Sequence, residues 1–491
     1  MANVTSETNF TQQVRSLIDR TYGRSHLKDS FVERAIAYFE EKPAQNVKAD
    51  GFVQRLTEIK AKLEQASGKE AATLQQKLQL VEREQRNYQL QLRIERNERN
   101  ENLLETCDKI LKLCEGEDIE ETNRKSAQLL GTIQLISPTE GKKIAELNEI
   151  HKPLYKAVLA LRLLDRLCLD KIIAEPYISQ YLTDIPPEQY AQYHELDPKN
   201  YKVFVQQVKI PVIMAALLQD IGNYHPDAAK IIRGEDGKLD PYRTLDIESR
   251  KALLQISYRE TIDYLVHGIG LTQYIGNSKV ERDKFNQAEH KKIFFIKHLL
   301  KTSINPLKGI GNLLKVPQIY TSIILSTKAK YNYKLLPKAF QALNQNAERG
   351  TCSQAVVDSL YRITGMYPQG YGITYIPRDS DGNPLDRYEY AIVNRLYPEN
   401  PEQPLCRVAT RQLTFISRGL DIVVKCEDNL YLTAVANSLA TMSKKRLMEI
   451  LELLASNYKE RENLELIPRC WHANEFFSIK ENQKLWNKAA N

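Results

Sequence analysis

The sequence predicts a mainly α-helical protein with a small β appendage near its C-terminus. Two observations favour helix. Apolar residues recur every three or four positions over most of the 491 residues, and only 20 glycines and 20 prolines leave few tight turns. The β appendage is predicted because the apolar period falls towards two near residue 371. At about 150 residues per domain, this length suggests two to four folding units.

Composition and charge exclude several classes of protein. Hydrophobic residues make up 42% and charged residues 27%, so the chain is neither wholly disordered nor fibrous. The net charge of +7 is too small to indicate that the protein binds nucleic acid, so we do not expect nucleic acid as a partner. We expect no signal peptide and no transmembrane segment, because the longest apolar stretch, 211–218, is short. Seven scattered cysteines predict a reduced, cytoplasmic protein.

The N-terminal region, 1–120, is predicted to be helical and to contain an arm. An amphipathic helix covers 31–41, and the pattern changes from Gly51. The three-to-four rhythm then runs to Ala66, breaks at Ser67 and Gly68, and resumes in a longer helix. The positions that carry this second rhythm are Leu74, Leu78, Val81, Gln85, Tyr88 and Leu92. We predict a helical hairpin or coiled-coil arm that dimerises or supports a neighbouring domain, and a purely intramolecular hairpin is the alternative.

Three further segments are predicted. A helical domain covers 121–370, with its strongest core-helix signal at 154–173 and an apolar helix at 203–222. A β subdomain covers 371–430, with strands YGITYIP, YEYAIVNRLY and LDIVV. DSDGNP at 379–384 opens like a calcium loop but lacks the glutamate at its twelfth position, so it is predicted to be the turn between the first two strands. A C-terminal helical tail covers 431–491, with its main helix at 443–463.

Several common catalytic motifs are absent from the sequence. It contains no HExxH or HxH, no His/Cys cluster at zinc spacing, and no Walker, GxSxG or strand-linked GxGxxG motif. A function therefore has to be sought in less common patterns.

One segment, AALLQDIGNYHPDAAKII at 215–232, resembles the signature of HD-domain metal-dependent phosphohydrolases, specifically the HD-GYP branch, whose members hydrolyse cyclic-di-GMP. Similar motifs of that branch follow in order downstream: LDIESRKALLQISYRETIDYL at 245–265, KVPQIYTSI at 315–323, SQAVVDSLYRITGMYPQG at 353–370 and YEYAIVNRLYPENPEQPLCRV at 388–408. The resemblance spans about 151–425 and implies an all-helical HD-like bundle.

The metal ligands that the resemblance implies are mostly replaced. The family uses two or three metal ions, held by histidines and aspartates, to activate a water. The signature histidine falls on Gln219, the next histidine on Ser257 and a later aspartate on Gln318. An amide is a poor substitute for imidazole as a ligand of transition metals.

The candidate remnants of the metal site are His151, Asp220 and His298. Lys297 stands beside His298, and its ammonium would repel a cation there. The resemblance therefore implies a pseudo-enzyme with no catalytic residues and no cofactor. A divalent metal, Fe or Mn, is expected only if the remnant site is functional.

A lysine-rich stretch supplies a candidate ligand-binding surface. Between Glu289 and Lys338 there are ten lysines and one acidic residue, with tyrosines interleaved. A solvated helical face is the simpler interpretation, and an anion-binding surface is the functional one. Its candidate residues are Lys297, Lys301, Lys308, Lys315 and Tyr320, with the tyrosine expected to stack on a base.

Three functions follow as hypotheses. The first is a catalytically inactive regulatory or scaffolding protein in bacterial cyclic-di-GMP signalling, acting through protein contacts of the arm (51–113) and the helix at 443–463, with a homodimer as one expectation. The second is a sensor that binds cyclic-di-GMP or another anionic nucleotide without hydrolysis. The third is a metal-dependent cyclic-di-GMP phosphodiesterase with an altered ligand set.

Overall fold

Helices dominate the computed structural model, which describes residues 6–23, 29–172, 174–307, 309–329, 331–454 and 465–487. The prediction of a mainly α-helical protein is confirmed. The α-helices are Asn9–Tyr22 (α1), Phe31–Leu63 (α2), Gly68–Cys114 (α3), Ile119–Ile136 (α4), Ile144–Leu169 (α5), Pro176–Ser179 (α6), Tyr193–Leu196 (α7), Pro198–Phe204 (α8), Ile210–Leu218 (α9), Pro226–Arg233 (α10), Ile247–Asp263 (α11), Lys279–Thr302 (α12), Asn312–Ile324 (α13), Ala339–Glu348 (α14), Gln354–Thr364 (α15), Thr433–Leu439 (α16), Lys444–Leu454 (α17) and Asn474–Ser478 (α18).

Other helical turns connect these elements. Two segments are π-helical, Val205–Lys209 and Tyr264–Ile269. The 3₁₀ turns are Pro187–Gln192, Ile221–Tyr224, Tyr333–Lys338, Cys426–Asp428 and Lys480–Lys484. The helix predicted at 443–463 is present as α17, and residues 455–464 lie outside the described part of the chain.

Contacts divide the chain into two compact units, neither of which is a continuous segment. Unit 1 comprises Met1–Asp19, Cys107–Leu217 and His298–Asn491, and unit 2 comprises Arg20–Thr106 and Leu218–Lys297. The four segments predicted from the sequence do not coincide with these units. Long-range pairing is the reason, since residues far apart in the chain pack together within each unit.

Helix α5 forms the centre of the core of unit 1. Nearly every residue from Leu154 to Cys168 is buried, as the strong apolar signal at 154–173 predicts. Helices α4, α13 and α15 pack against it. At roughly 1.5 Å per residue, α5 is long enough to contact all three neighbours along its length.

Unit 1 also contains an antiparallel sheet of five strands in the order β6-β3-β2-β1-β7. The strands are Gly372–Tyr375 (β1), Glu389–Val393 (β2), Leu405–Val408 (β3), Thr410–Arg411 (β4), Thr414–Phe415 (β5), Asp421–Val423 (β6) and Cys470–Trp471 (β7), of which β4 and β5 pair separately. The three predicted strands are confirmed as β1, β2 and β6. Strands β3, β4, β5 and β7 were not predicted. Of these, β4, β5 and β7 have only two residues each, which is too short to show an alternating pattern.

The turn between β1 and β2 is a hairpin turn, as predicted. The Asp379 carboxylate accepts the backbone N–H groups of Asp381 and Asn383, at 3.0 and 2.8 Å. Gly382 adopts a φ of +83°, which a glycine tolerates without strain. Asp379 thus stabilises the turn by accepting these two backbone hydrogen bonds, a common role of aspartate in turns that needs no calcium ion.

Unit 2 contains a long helical hairpin, formed by α2, residues 64–67 and the part of α3 up to Thr106. A capping box between Ser30 and Glu33 begins α2. The helix continues through Pro43 and Gly51, whereas the sequence pattern suggested a change at Gly51. The predicted break at residues 67 and 68 is confirmed, with Gly68 at a φ of +62°.

The two helices of the hairpin contact each other directly. The rings of Phe52 and Tyr88 lie 5.7 Å apart, and the Tyr88 hydroxyl donates to the carbonyl of Gln45 at 3.3 Å. Nearer its base, the hairpin binds the rest of unit 2: the Tyr38 hydroxyl donates to Asp263 at 2.9 Å. The distal part of the hairpin is therefore held by contacts between its own helices.

One helical stretch of the described residues, Pro198–Tyr224, is long and apolar enough to cross a membrane. Within its most apolar window, 67% is buried inside the protein. A core helix passes the same test of length and composition, so the stretch is weak evidence for a membrane span.

Candidate functional site

The candidate metal ligands occupy different environments. His151 lies on α5 with its side chain buried, and its Nδ1 is 2.7 Å from the Ser137 hydroxyl. Burial lowers the pKa of His151 to about 4. His298 lies on α12, where its Nε2 is 3.7 Å from a carboxylate oxygen of Glu175. Asp220 directly precedes the turn Ile221–Tyr224, and its side chain makes no capping bond to it.

No group of three or more His, Cys, Asp or Glu side chains is arranged to hold a metal ion within the part of the chain that the structure describes. His151 and His298 belong to unit 1 and Asp220 to unit 2. Their assignment as remnants of a metal site stays a prediction.

Close packing accounts for the glycine of the signature-like segment. The backbone N–H of Gly222 donates to the Thr261 hydroxyl at 3.0 Å. A Cβ atom at Gly222 would lie 2.0 Å from the carbonyl oxygen of Ser257, so only glycine lets this turn approach α11. This part of the resemblance therefore has a local structural role in unit 2, whatever its chemistry.

The predicted lysine surface is brought together only in part. Lys297 and Lys301 are exposed on α12, and Lys315 is half-buried on α13. Lys308 lies outside the described residues. The proposed role of Tyr320 requires correction, because its side chain is completely buried and its ring lies 5.4 Å from that of Phe340. Helix α13 packs in the core of unit 1, so Tyr320 offers no face on which a base could stack.

Four charged side chains form an ion network inside unit 1. The Arg162 guanidinium, 1% exposed, donates to Glu115 and lies 2.9 Å from Asp165 Oδ2. The Lys209 ammonium, 4% exposed, lies 2.8 Å from Glu115 Oε2 and 3.4 Å from Asp165 Oδ1. Two cations therefore face two carboxylates, and the network is formally neutral.

Two tyrosines complete this ion network. The Tyr190 hydroxyl donates to Asp165 at 2.7 Å, and the Tyr201 hydroxyl lies 3.3 Å from a carboxylate oxygen of Glu115. Lys209 donates to the Tyr201 hydroxyl at 3.2 Å. Lys209 is the last residue of the π-helical segment Val205–Lys209, a rare geometry that is frequent at functional sites.

The ion network keeps Glu115 and Lys209 charged. Burial alone would raise the pKa of Glu115, but Lys209 and Arg162 outweigh it and lower this pKa to about 2. Burial alone would lower the pKa of Lys209, but Asp165 and Glu115 raise it above its usual range. Lys209 is thus not a neutral nucleophile, and Glu115 is not a protonated general acid. The adjoining cavity of about 110 Å³ is smaller than the sites that bind small organic ligands, so we interpret the network as structural.

An apolar stripe lies on the outer side of helix α3. Leu80, Leu90 and Ile94 are exposed by 56%, 45% and 49%. At about 100° per residue, these three side chains fall within an arc of about 80°. The buried Leu78 and Val81 lie on the opposite side of α3. We call the three exposed residues the α3 stripe, and its apolar side chains face solvent.

Within the part of the chain that the structure describes, the distal hairpin, residues 45–92, is held by its own contacts. Among the described residues, each hydrogen bond, ion pair or ring contact of residues 45–92 joins the two helices or lies within one of them, as for Arg55 and Glu84 at 3.4 Å. The α3 stripe is therefore presented on a part of the hairpin that is stabilised by its own contacts.

A cavity of about 690 Å³ lies between the sheet and the C-terminal helices of unit 1. Its walls include the rings of Tyr390 on β2, Phe415 on β5, Trp471 on β7 and Phe476 on α18. Sequence reasoning missed it because these rings come from four short elements spread over almost ninety residues. The alternating aromatic pattern YEYAIV was the only available signal, and it identified β2 alone.

No protein-family model matches the chain, and comparisons with curated proteins and with solved structures likewise give no match. The functional conclusions therefore depend on the residues and contacts of this chain.

Proposed function

We propose that the chain is a non-catalytic regulatory protein that acts through protein contacts, with the distal hairpin as its docking surface. The observation that carries the proposal is the α3 stripe, an apolar surface on the solvent side of a self-supported hairpin. Single exposed apolar residues are common, but three on one side of a helix are the pattern by which helices recognise each other.

The absence of catalysis is proposed on the residues that replace the expected ligands. Gln219, Ser257 and Gln318 stand where the resemblance would require histidines and an aspartate, and none of them is a strong metal ligand. A setting in bacterial cyclic-di-GMP signalling is proposed from the resemblance alone, and a cytoplasmic location is proposed from the seven scattered cysteines.

The partner that fits the α3 stripe is an amphipathic helix. The stripe extends over roughly 21 Å, which is about four helical turns. Two exposed polar residues, Arg83 and Asn87, lie within the arc of the stripe between Leu80 and Leu90. Glu84 and Arg86 lie beside the arc, so its flanks carry both signs of charge. A partner helix with apolar residues at matching spacing and mixed charges at its edges would bury the stripe and pair with its flanks.

The experiment removes the apolar side chains of the stripe without disturbing the hairpin. The stripe variant combines the substitutions Leu80→Ser, Leu90→Ser and Ile94→Ser. The matched control changes three polar positions of α3 that are exposed but lie outside the arc of the stripe, Gln75→Ser, Gln89→Ser and Gln91→Ser. Proteins cross-linked to each form in the source cells are identified and quantified, and the mass of each purified form is measured by light scattering.

We expect the control to retain the partner of the wild-type chain and the stripe variant to lose it, with all three forms equally stable. A mass that halves only in the stripe variant would identify the partner as a second copy of the chain. Equal recovery of every cross-linked protein with wild type and stripe variant would contradict the proposal.

The alternative function, a sensor of an anionic nucleotide, is favoured by the exposed Lys297 and Lys301 on α12. Binding of cyclic-di-GMP that is lost in a Lys297→Ala, Lys301→Ala variant would support it. No binding at tens of micromolar ligand, about 6 to 7 kcal/mol of binding free energy, would remove it.

A further inference from the structure

We infer that the cavity of about 690 Å³ in unit 1 binds a small organic cation with a flat, apolar body. Its volume lies within the range of about 300 to 1,000 Å³ that is usual for small-molecule sites. The inference concerns unit 1 and does not depend on the docking function proposed for the hairpin in unit 2.

The walls of the cavity are aromatic and fixed in position. Tyr390 and Trp471 stack at 4.7 Å with their planes only 5° apart. Trp471 donates its indole N–H to the carbonyl of Ala391 at 2.9 Å, so its orientation is set before any ligand enters. Phe415 lies 6.0 Å from Trp471 and 5.9 Å from Phe476. Phe415 is 41% exposed and offers the main open aromatic face, whereas Tyr390, Trp471 and Phe476 are largely buried behind it. Such a face attracts flat rings by dispersion and cations through its negative quadrupole.

The charges that line the cavity favour a cation. Among the described residues, three glutamates, Glu140, Glu465 and Glu475, and one lysine, Lys334, line it. Glu140 also lies 3.7 Å from the Nε2 atom of His472. That lysine is already paired, since its ammonium lies 2.6 Å from a carboxylate oxygen of Glu465. A phosphate group would therefore meet an excess of negative charge, whereas an organic cation would offset it.

The polar groups in the cavity are held mainly by the protein itself. The His472 Nδ1 lies 2.8 Å from the Thr139 hydroxyl. Asn474 donates its side-chain N–H groups to the carbonyls of Leu135 and Ser137, both at 2.8 Å. Few directional donors are thus offered to a ligand, which favours recognition by shape and charge.

Cys470 lines the cavity, but its thiol is not expected to form a covalent bond with the ligand. Burial raises the pKa of Cys470 to about 11, so the thiol stays protonated at neutral pH and is a weak nucleophile. Binding is therefore expected to be reversible and non-covalent.

The test uses one ring system in three charge states. N-methylacridinium is the cation, acridine at mildly alkaline pH is neutral, and acridine-9-carboxylate is the anion. Each is titrated into the full chain by isothermal titration calorimetry. We expect the cation to bind at least about tenfold more tightly than the anion, with acridine between them, and its affinity to fall as salt is raised.

Two variants test whether the cavity is the site. Glu140→Gln with Glu475→Gln removes two lining carboxylates, and Glu348→Gln with Glu399→Gln removes two exposed carboxylates elsewhere in unit 1. All four positions are at the surface, so thermal unfolding should be unchanged.

We expect the Glu140→Gln, Glu475→Gln variant to bind the cation about tenfold more weakly than wild type and to bind acridine with unchanged affinity. The Glu348→Gln, Glu399→Gln variant should bind all three compounds as wild type does. Phe415→Ala should lower the affinity for all three compounds, because it removes part of the cavity wall. Equal affinity for cation and anion, an equal effect of both glutamate pairs, or no binding of any compound would overturn the inference.

Discussion

Charged residues inside an apolar helix are the most informative single positions in unit 1. Arg162 and Asp165 interrupt the apolar run of α5, where an isolated charge would be costly to bury. Their partners, Glu115 and Lys209, come from distant parts of the chain. The sequence shows that the two α5 charges are unusual, but it cannot show their partners, because these meet only when the tertiary structure forms.

The first prediction concerns the loss of one member of the ion network. Lys209→Met leaves two carboxylates, Glu115 and Asp165, with Arg162 as their only cationic partner. We expect the free energy of unfolding to fall by about 3 to 5 kcal/mol, measured by urea denaturation. The control, Lys202→Met, changes an exposed lysine of α8 and should stay within about 0.5 kcal/mol. A small effect of Lys209→Met would show that the network is not closed as described.

The second prediction concerns His151 and pH. Its pKa in the folded protein is about 4, below the value of 6.5 for an unperturbed histidine, so the unfolded chain binds the extra proton first as pH falls. The contribution of His151 to the free energy of unfolding is therefore fully present above about pH 6.5. It is lost progressively as the pH falls towards 4, by up to about 3 kcal/mol.

Denaturation at a series of pH values checks this prediction. His151→Gln removes the titrating group and should flatten that part of the pH dependence, whereas His267→Gln, at an exposed position, should leave it as in wild type. Identical pH profiles for wild type and His151→Gln would contradict the buried, neutral state of His151.

At the scale of elements, long periodic helices were predictable and short elements were not. The repeated apolar positions of 154–173 and of 74–92 predicted α5 and α3 correctly. The two-residue strand β7 was not predicted, because it is specified by its pairing with β1 through Gly372 and Trp471 rather than by its own pattern. The predicted C-terminal tail consequently contributes both a strand and part of the cavity wall.

The third prediction tests the continuity of helix α2. A Cβ atom at Gly51 would meet nothing within 4 Å, and the helix has no other reason there to require glycine. Gly51→Ala should therefore raise stability by about 0.5 to 1 kcal/mol, measured by urea denaturation.

The control, Gly237→Ala, lies in equally open space but at a φ of +71°, which alanine adopts with strain, and it should lower stability. A neutral or destabilising effect of Gly51→Ala would indicate that α2 is interrupted at this residue, as the change of sequence pattern there first suggested.

For the whole molecule, composition predicted the structural class, while the division into units depended on long-range contacts. Helix α3 contributes residues to both units, and each unit is assembled from separate segments. The candidate metal ligands show the same limit. A resemblance suggests that His151, Asp220 and His298 share one metal site, but it does not show that the folded chain brings them together. The hairpin was predictable because its pattern is local, whereas the cavity and the ion network were not.

The most direct test of the proposal that the protein is a non-catalytic regulatory protein, and not a metal-dependent phosphodiesterase, is a combined measurement on one purified sample. The full chain is produced with iron and manganese supplied, its bound metal is determined by mass spectrometry, and cyclic-di-GMP is incubated with it and analysed for products. We predict no stoichiometric metal and no hydrolysis. About two metal ions per chain together with hydrolysis that is lost in Asp220→Ala would contradict the account and restore the catalytic alternative.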